Sequence, residues 1–291
     1  MGRRTFKEEG IGLRINTNVP ALIAQRNLRN TRSSLDTTLE RLSSGSRINH
    51  AGDDAAGLAI SESLRAQIRG LGQAERNSQD GISLVQVAEG AMSEVSNILI
   101  RLRELGVQAS SDTVGPTERG FLNLEFGQLL QEVDRIAKST VYNNVPLLNG
   151  SAQAFEIQIG TSNNPLTDRV KLFESGAADV SSIALGMNLS NVADKISAQN
   201  SLASIDQAIG SVTSMRAEFG ALQNRLQSVI NNIQISKENM ASANSRIRDA
   251  DVAEESTNLT RNQILMQSGV SVLGQANTTI KTALNLLGGQ S

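Results

Sequence analysis

The sequence has no cysteine, no tryptophan, one tyrosine, one histidine and only four prolines in 291 residues. Each scarcity excludes something. With no thiol and a single imidazole at His50, a zinc site of ordinary ligands cannot be built. A Ser–His–Asp arrangement would have to use His50, with Ser43, Ser44 and Asp53 nearby, but no Gly-x-Ser-x-Gly elbow exists. No glycine-rich loop follows a strand and opens a helix, so phosphate binding has no support. Asp53–Asp54 and Asp249–Asp251 read as helix caps and joint polarity rather than as a cation site. No catalytic residue, metal or cofactor is therefore expected. Aromatics are 2% of the chain. A core cannot rest on large rings and must come from Leu, Ile, Val and Ala, which suits helices packed side by side. The formal charge of -2 gives no field for nucleic acid or an anionic membrane. No run of 18 apolar residues is present to span a bilayer.

The prolines fall at positions 20, 116, 146 and 165, so 21–115 and 166–291 are free of the main helix breaker. The apolar spacing predicts a first helix from about Val19 to Leu42. Its narrow heptad seam is Ala21, Ala24, Leu28, Leu35, Leu39 and Leu42. A Gly/Ser/Asn joint follows at 41–57. A second helix is expected over 55–109, with Leu71, Val85, Met92 and Leu99 at multiples of seven and Ile82, Val95 and Leu102 flanking. A third, over 117–139, would fold back antiparallel on Phe121, Leu124, Leu129, Val133 and Ile136. Between 141 and 190, Asn143-Asn144 and Asn149-Gly150 mark turns, and alternation at Phe155, Ile157 and Ile159 and at Val170 and Leu172 marks short hairpin strands. Helical period returns from about 192 through Ile205, Ile209, Val212, Met215, Phe219, Leu222 and Leu226. The short Val212–Met215 step reads as a stammer. After a second joint at 248–251, the last seam is Leu259, Met266, Val270, Leu273, Ile280, Leu284 and Leu287.

The expected fold is mainly α: an elongated antiparallel helical coiled-coil rod with its N- and C-termini paired, plus a small β-hairpin region. A two-helix coil with so thin a seam is marginal alone. Val19, Ile23, Val272 and Leu286 lie off the seam and remain to be buried, while Gly269 and Gly274 allow a close backbone approach. Such ends should pack against copies of themselves.

The residues that carry these patterns resemble bacterial flagellin. The likeness runs through LRINTNVPALIAQRNL (13–28), RLSSGSRINHAGDDAAGLAISESLRAQIRGL (41–71), RNSQDGISLVQVAEGAMSEVSNIL (76–99) and RLRELGVQAS (101–110). It continues in ALQNRLQSVINNI (221–233), SRIRDADVAEESTNLTRNQILMQSGVSVLGQAN (245–277) and ALNLL (283–287). The resemblance implies a minimal core flagellin without the variable outer domains, polymerising into an extracellular flagellar filament for swimming motility. It implies an inner-core domain from residues 1–54 and 251–291, and an outer-core domain from 55–190 and 191–250. It implies export in an unfolded state through the flagellar type III apparatus. The partners implied are copies of the chain, an export chaperone at the C-terminal segment, filament cap and hook-junction proteins, and the host Toll-like receptor for flagellin, with no nucleic acid and no membrane. For that receptor the resemblance points to Arg101, Leu105 and Glu125. The plainer reading of the same three has Arg101 and Glu125 solvating the surface and Leu105 packing between helices. Residues 1–12 are an atypical leader, and a start assigned too far upstream is the favoured expectation. The rivals are a hook–filament junction protein and a secreted coiled-coil effector.

Overall fold

The computed structural model describes residues 17–151, 155–172 and 178–288, the last six by backbone alone. Within them lie five helices: α1 Val19–Ser44, α2 Ala55–Ala109, α3 Pro116–Ser139, α4 Lys195–Arg248 and α5 Val252–Gly288. Four short strands lie between α3 and α4: β1 Val141–Tyr142, β2 Val145–Pro146, β3 Glu156–Gln158 and β4 Arg169–Lys171. The mainly α class is as expected. The helices start where the sequence supplies caps. The Asn18 carboxamide oxygen accepts from Ala21 N at 3.1 Å ahead of α1, and Asp54 accepts from Gly57 N at 2.8 Å ahead of α2. Pro116 opens α3 with its fixed φ and no N–H to satisfy. Helix α1 stops at Gly45, whose φ of 67° only glycine adopts without strain.

The chain forms two compact units. One joins the two ends of the chain, up to Ser63 and from Ser242. The other is Leu64–Ala241.

In the end unit, α1 and α5 run antiparallel. Asn18 Nδ2 donates to Ala276 O at 3.2 Å near one end of the pair, and Arg41 meets Glu255 near the other. At the joint, Ala250 N donates to Gly45 O at 3.0 Å and Arg47 N to Arg248 O at 2.6 Å. Ile48 is buried there beneath the first turn of α2. Arg248 reaches Glu62 at 2.6 Å. These clamps carry the unit past the sequence-expected boundaries at 54 and 251.

In the second unit, α2 and α4 are also antiparallel. Glu75 accepts from Gln234 at 2.9 Å, and Arg103 donates to Asp206 at 2.7 Å. Along α2 one row of buried positions is Leu71, Ala74, Ser78, Gly81, Val85, Ala88, Met92, Val95, Leu99, Leu102, Gly106 and Ala109, with Leu84 and Leu105 buried beside it. That is an unbroken alternation of three and four, the signature of knobs-into-holes packing. Gly81, not Ile82, holds the flanking position. A Cβ at Gly81 would strike the Ile157 side chain, so the glycine gives the β3–β4 hairpin its seat on α2. On α4 the seam is Ala198, Ser201, Ile205, Ala208, Val212, Met215, Phe219, Leu222 and Leu226. Ala208 is buried and Ile209 only partly so. With Ala208 in place the three-four rhythm holds from Ala198 to Leu226, and the stammer expected at Val212–Met215 does not exist.

Helix α3 folds back on α2, tied by Arg119 Nε to Ala109 O at 2.8 Å. Its buried face is Phe126, Val133 and Ala137, with Leu122, Leu129, Leu130 and Ile136 packed beside them. Phe121 and Leu124, expected inside, are exposed at 66% and 68%. Phe126 and Val133 are seven apart and share a face, whereas Phe121 and Leu124 point away from it. The β1–β2 hairpin turns on Asn143 and Asn144, both at positive φ (47° and 66°), the two-residue turn that matches strand twist. β3 pairs antiparallel with β4, Ile157 opposite Val170.

Candidate assembly surface and receptor-facing cluster

The α1–α5 pair is built from one thin seam. On α1 it is Ala21, Ala24, Leu28, Thr31, Leu35, Thr38 and Leu42; on α5 it is Glu255, Leu259, Asn262, Met266, Gly269, Leu273, Ala276 and Ile280. Seven of the eleven seam residues expected from sequence are here, namely Leu28, Leu35, Leu42, Leu259, Met266, Leu273 and Ile280, with a correction at two others. Leu39 is 46% exposed, and Thr38 takes its place in the seam. Val270 is 58% exposed, and Gly269 takes its place. Leu284 and Leu287 lie outside the described side chains, as does Leu286, and residues 1–12 lie outside the described residues.

The swaps have one physical cause. A two-helix coil brings backbones close, and small or hydroxyl residues fit the facing holes. At Gly269 an added Cβ would lie 2.9 Å from Leu28 Cδ2, so Leu28 occupies the hole that the glycine leaves. Gly274 has open space around it and makes no such approach.

Outside the seam the coil also exposes large apolar side chains. Val19, Leu22, Ile23 and Leu39 on α1 are exposed, as are Val252, Ile264, Leu265, Val270 and Val272 on α5. Leu265 and Val272 are seven residues apart and so lie on one face. Scattered apolar residues are ordinary on any surface, but a cluster on one small element marks an interaction surface.

The joint carries a titratable anchor. Asp53 accepts from the backbone N–H of Asn49 at 3.0 Å and of His50 at 2.9 Å. The His50 and then the Asn49 N–H hold its carboxyl below the ordinary value of 3.8. A depressed folded value means the contribution is present above 3.8 and is lost as pH falls through the lower value. Asp53→Asn should therefore loosen the joint at neutral pH and flatten the acid limb below about pH 4. Thermal unfolding of both chains across pH 2–7 measures this; parallel pH curves would show that Asp53 does not anchor the joint.

On the second unit, Arg101 and Glu125 lie together. Arg101 Nη2 and Nε donate to Glu125 Oε1 at 2.8 and 3.0 Å, and Nη1 donates to Glu104 at 2.9 Å. Bonding to Glu125, then to Glu104, raises the Arg101 pKa. Both partners are about half-exposed. Leu105 is not beside them on the surface: it is fully buried, in the same core cluster as Phe126 and Val133 of α3. Of the two readings of the sequence, packing between helices describes Leu105. Four-residue spacing brings Arg101 and Leu105 near one another along α2, but only Arg101 reaches solvent.

Long heptad seams, a hairpin that packs on a helix, and terminal helices with unsatisfied apolar faces define a structural protein built to associate. Models of the bacterial flagellin N-terminal helical region and of the bacterial flagellin C-terminal helical region match residues 15–153 and 202–287. Flagellin of Halalkalibacterium halodurans is 44% identical over 273 residues, covering 94% of this chain and 99% of that one. Flagellin of Bacillus subtilis is 40% identical over 310 residues, covering 94% and 100%. The solved structure of Bacillus cereus flagellin is similar over 58% of this chain and 94% of that one, at 32% identity and a TM-score of 0.49. The chain belongs to the bacterial flagellin family, a structural and non-enzymatic family, and is of the core type. Among the described residues no helix is long and apolar enough to cross a membrane.

Proposed function

We propose that the chain is the subunit of an extracellular flagellar filament and that the α1–α5 coil is the part that packs against neighbouring copies. The observation that carries this is the set of nine large apolar residues left exposed on the two terminal helices. Each is about half exposed, so burying the rest against a neighbour contributes roughly 1 kcal/mol in area alone. On this reading residues 1–54 and 251–291 form the inner core of the filament and 55–250 the outer core. Deleting 259–291 should abolish polymerisation and leave the second unit folded. Sedimentation and electron microscopy read the first, circular dichroism the second; filaments from the truncated chain would refute the assembly role.

The same reading includes export in an unfolded state through the flagellar type III apparatus. A chain without cysteine forms no disulfide on leaving the cell. The open apolar faces of α5 would need a chaperone before assembly, and cap and hook-junction proteins afterwards. It also includes recognition of the monomer by the host Toll-like receptor for flagellin. Arg101 and Glu125 are the exposed groups for that contact, and Leu105 supports their helix from beneath. Arg101→Ala with Glu125→Ala should lower potency by about 10- to 100-fold with unchanged melting, as hot-spot truncations do. A dose–response with no activation by depolymerised wild-type protein would end this part of the proposal.

A further inference from the structure

The α1–α5 seam is apolar or small along most of its length and abruptly charged at one layer. Glu255 sits in the seam at 8% exposure. Its Oε1 accepts from Arg41 Nη1 at 3.3 Å, and the Arg41 Nε is buried without a hydrogen-bond partner. Beside them Thr38, 6% exposed, turns its hydroxyl back to Ser34 O at 2.9 Å. Asn258 and Asn262 complete the lining of an open groove of about 370 Å³. A buried ion pair of indifferent geometry is a poor source of stability. Apolar residues of similar volume commonly do better. Where such groups sit in a coil seam, their best-attested use is to fix register.

The register here is well defined. Arg41 meets Glu255, Leu28 meets Gly269, and Asn18 meets Ala276 and Asn277. A heptad seam resembles itself after a shift of seven, so the apolar layers alone discriminate weakly against a slip. The charged layer does not repeat. A slip of one heptad towards the start of α1 would place Glu255 against Ser34 and carry Arg41 past the start of α5 towards Arg248, stranding a carboxylate away from its cation. The bonds at the joint, Ala250 to Gly45 and Arg47 to Arg248, hold the near end of the pair in the same register, and the charged layer extends that constraint into the seam itself.

We infer that Glu255, acting through Arg41, is the positioning residue that sets the antiparallel register of the terminal helices and is kept for specificity rather than strength. The inference stands apart from the filament reading, because its test needs no polymer. The natural chain has no cysteine, so an engineered pair is unambiguous. Asn18→Cys with Asn277→Cys reports the native register, where those two side chains lie 3.5 Å apart. Asn18→Cys with Val270→Cys reports a one-heptad slip. Each pair is oxidised in the full-length chain, and the intramolecular yield is read by mass.

In the otherwise natural background the native reporter should exceed the slipped one by about tenfold or more, because a slip leaves the seam carboxylate without its cation. With Arg41→Leu and Glu255→Leu together, the preference should collapse to within about twofold, or dimeric cross-links should replace it, while helical content and melting are kept or rise. The exchange Arg41→Glu with Glu255→Arg should restore the preference, which a merely space-filling role would not do. An unchanged preference in the double leucine variant overturns the inference. So does failure of the charge exchange to do better than the leucines, or equal reporter yields in the natural background.

Discussion

Leu265→Asp with Val272→Asp should abolish filament formation and leave both units folded. The two side chains are 50% and 58% exposed, and neither belongs to the seam with α1. In the isolated chain the new carboxylates face water and cost little. In a packed polymer each would be desolvated without a partner, at several kcal/mol apiece. Every ~1.4 kcal/mol lost per subunit raises the concentration needed for assembly about tenfold, so the pair should raise it by roughly a thousandfold or more. Sedimentation over a concentration series reads the threshold, and circular dichroism confirms the fold. Long filaments at the wild-type threshold would show that this stripe faces solvent in the polymer. Charge at Leu39 on the opposite helix tests whether α1 contributes a second such face.

Most of the helical plan is legible in the sequence because heptad spacing and capping residues agree along each long element. Helix α2 runs from Ala55 to Ala109 as its spacing predicts, between the Asp54 cap and the Ser110–Gly115 break. The departures share one origin: reading periodicity through the largest apolar residues misplaces a seam that uses small or polar ones. Thr38 displaced Leu39, Gly269 displaced Val270, Ala208 displaced Ile209, and Gly81 displaced Ile82. In each case the neighbouring large residue is one step around the helix. Counting strict three-four steps from the best-defined positions, whatever residue they fall on, finds all four. Phe121 and Leu124 misled for a related reason: they are large, but the seven-residue step from Phe126 to Val133 defines the face that is buried. The charged layer at Arg41 and Glu255 carries no sequence signal until α1 and α5 are known to be partners in that register.

Leu105 marks the limit of two-helix logic. It lies off the three-four row of α2, yet it has no exposure and belongs to the same core cluster as Phe126 and Val133 of α3. Leu105→Ala should cost about 2–5 kcal/mol, the range for deleting a buried leucine side chain. In a unit of this size that lowers the melting midpoint by roughly 5–15 °C. Leu105→Met conserves volume and should cost less than about 1.5 kcal/mol. The two variants separate packing from contact. If Leu105 acts by supporting the helix that carries Arg101, the methionine variant keeps the wild-type receptor response. The alanine variant then loses response only as far as its fold is lost, and recovers it on cooling. Loss of the response in a methionine variant that melts like wild type would place Leu105 in direct contact with the receptor. That contact would require the core to open around this part of α2 on binding, since the Leu105 side chain is fully buried.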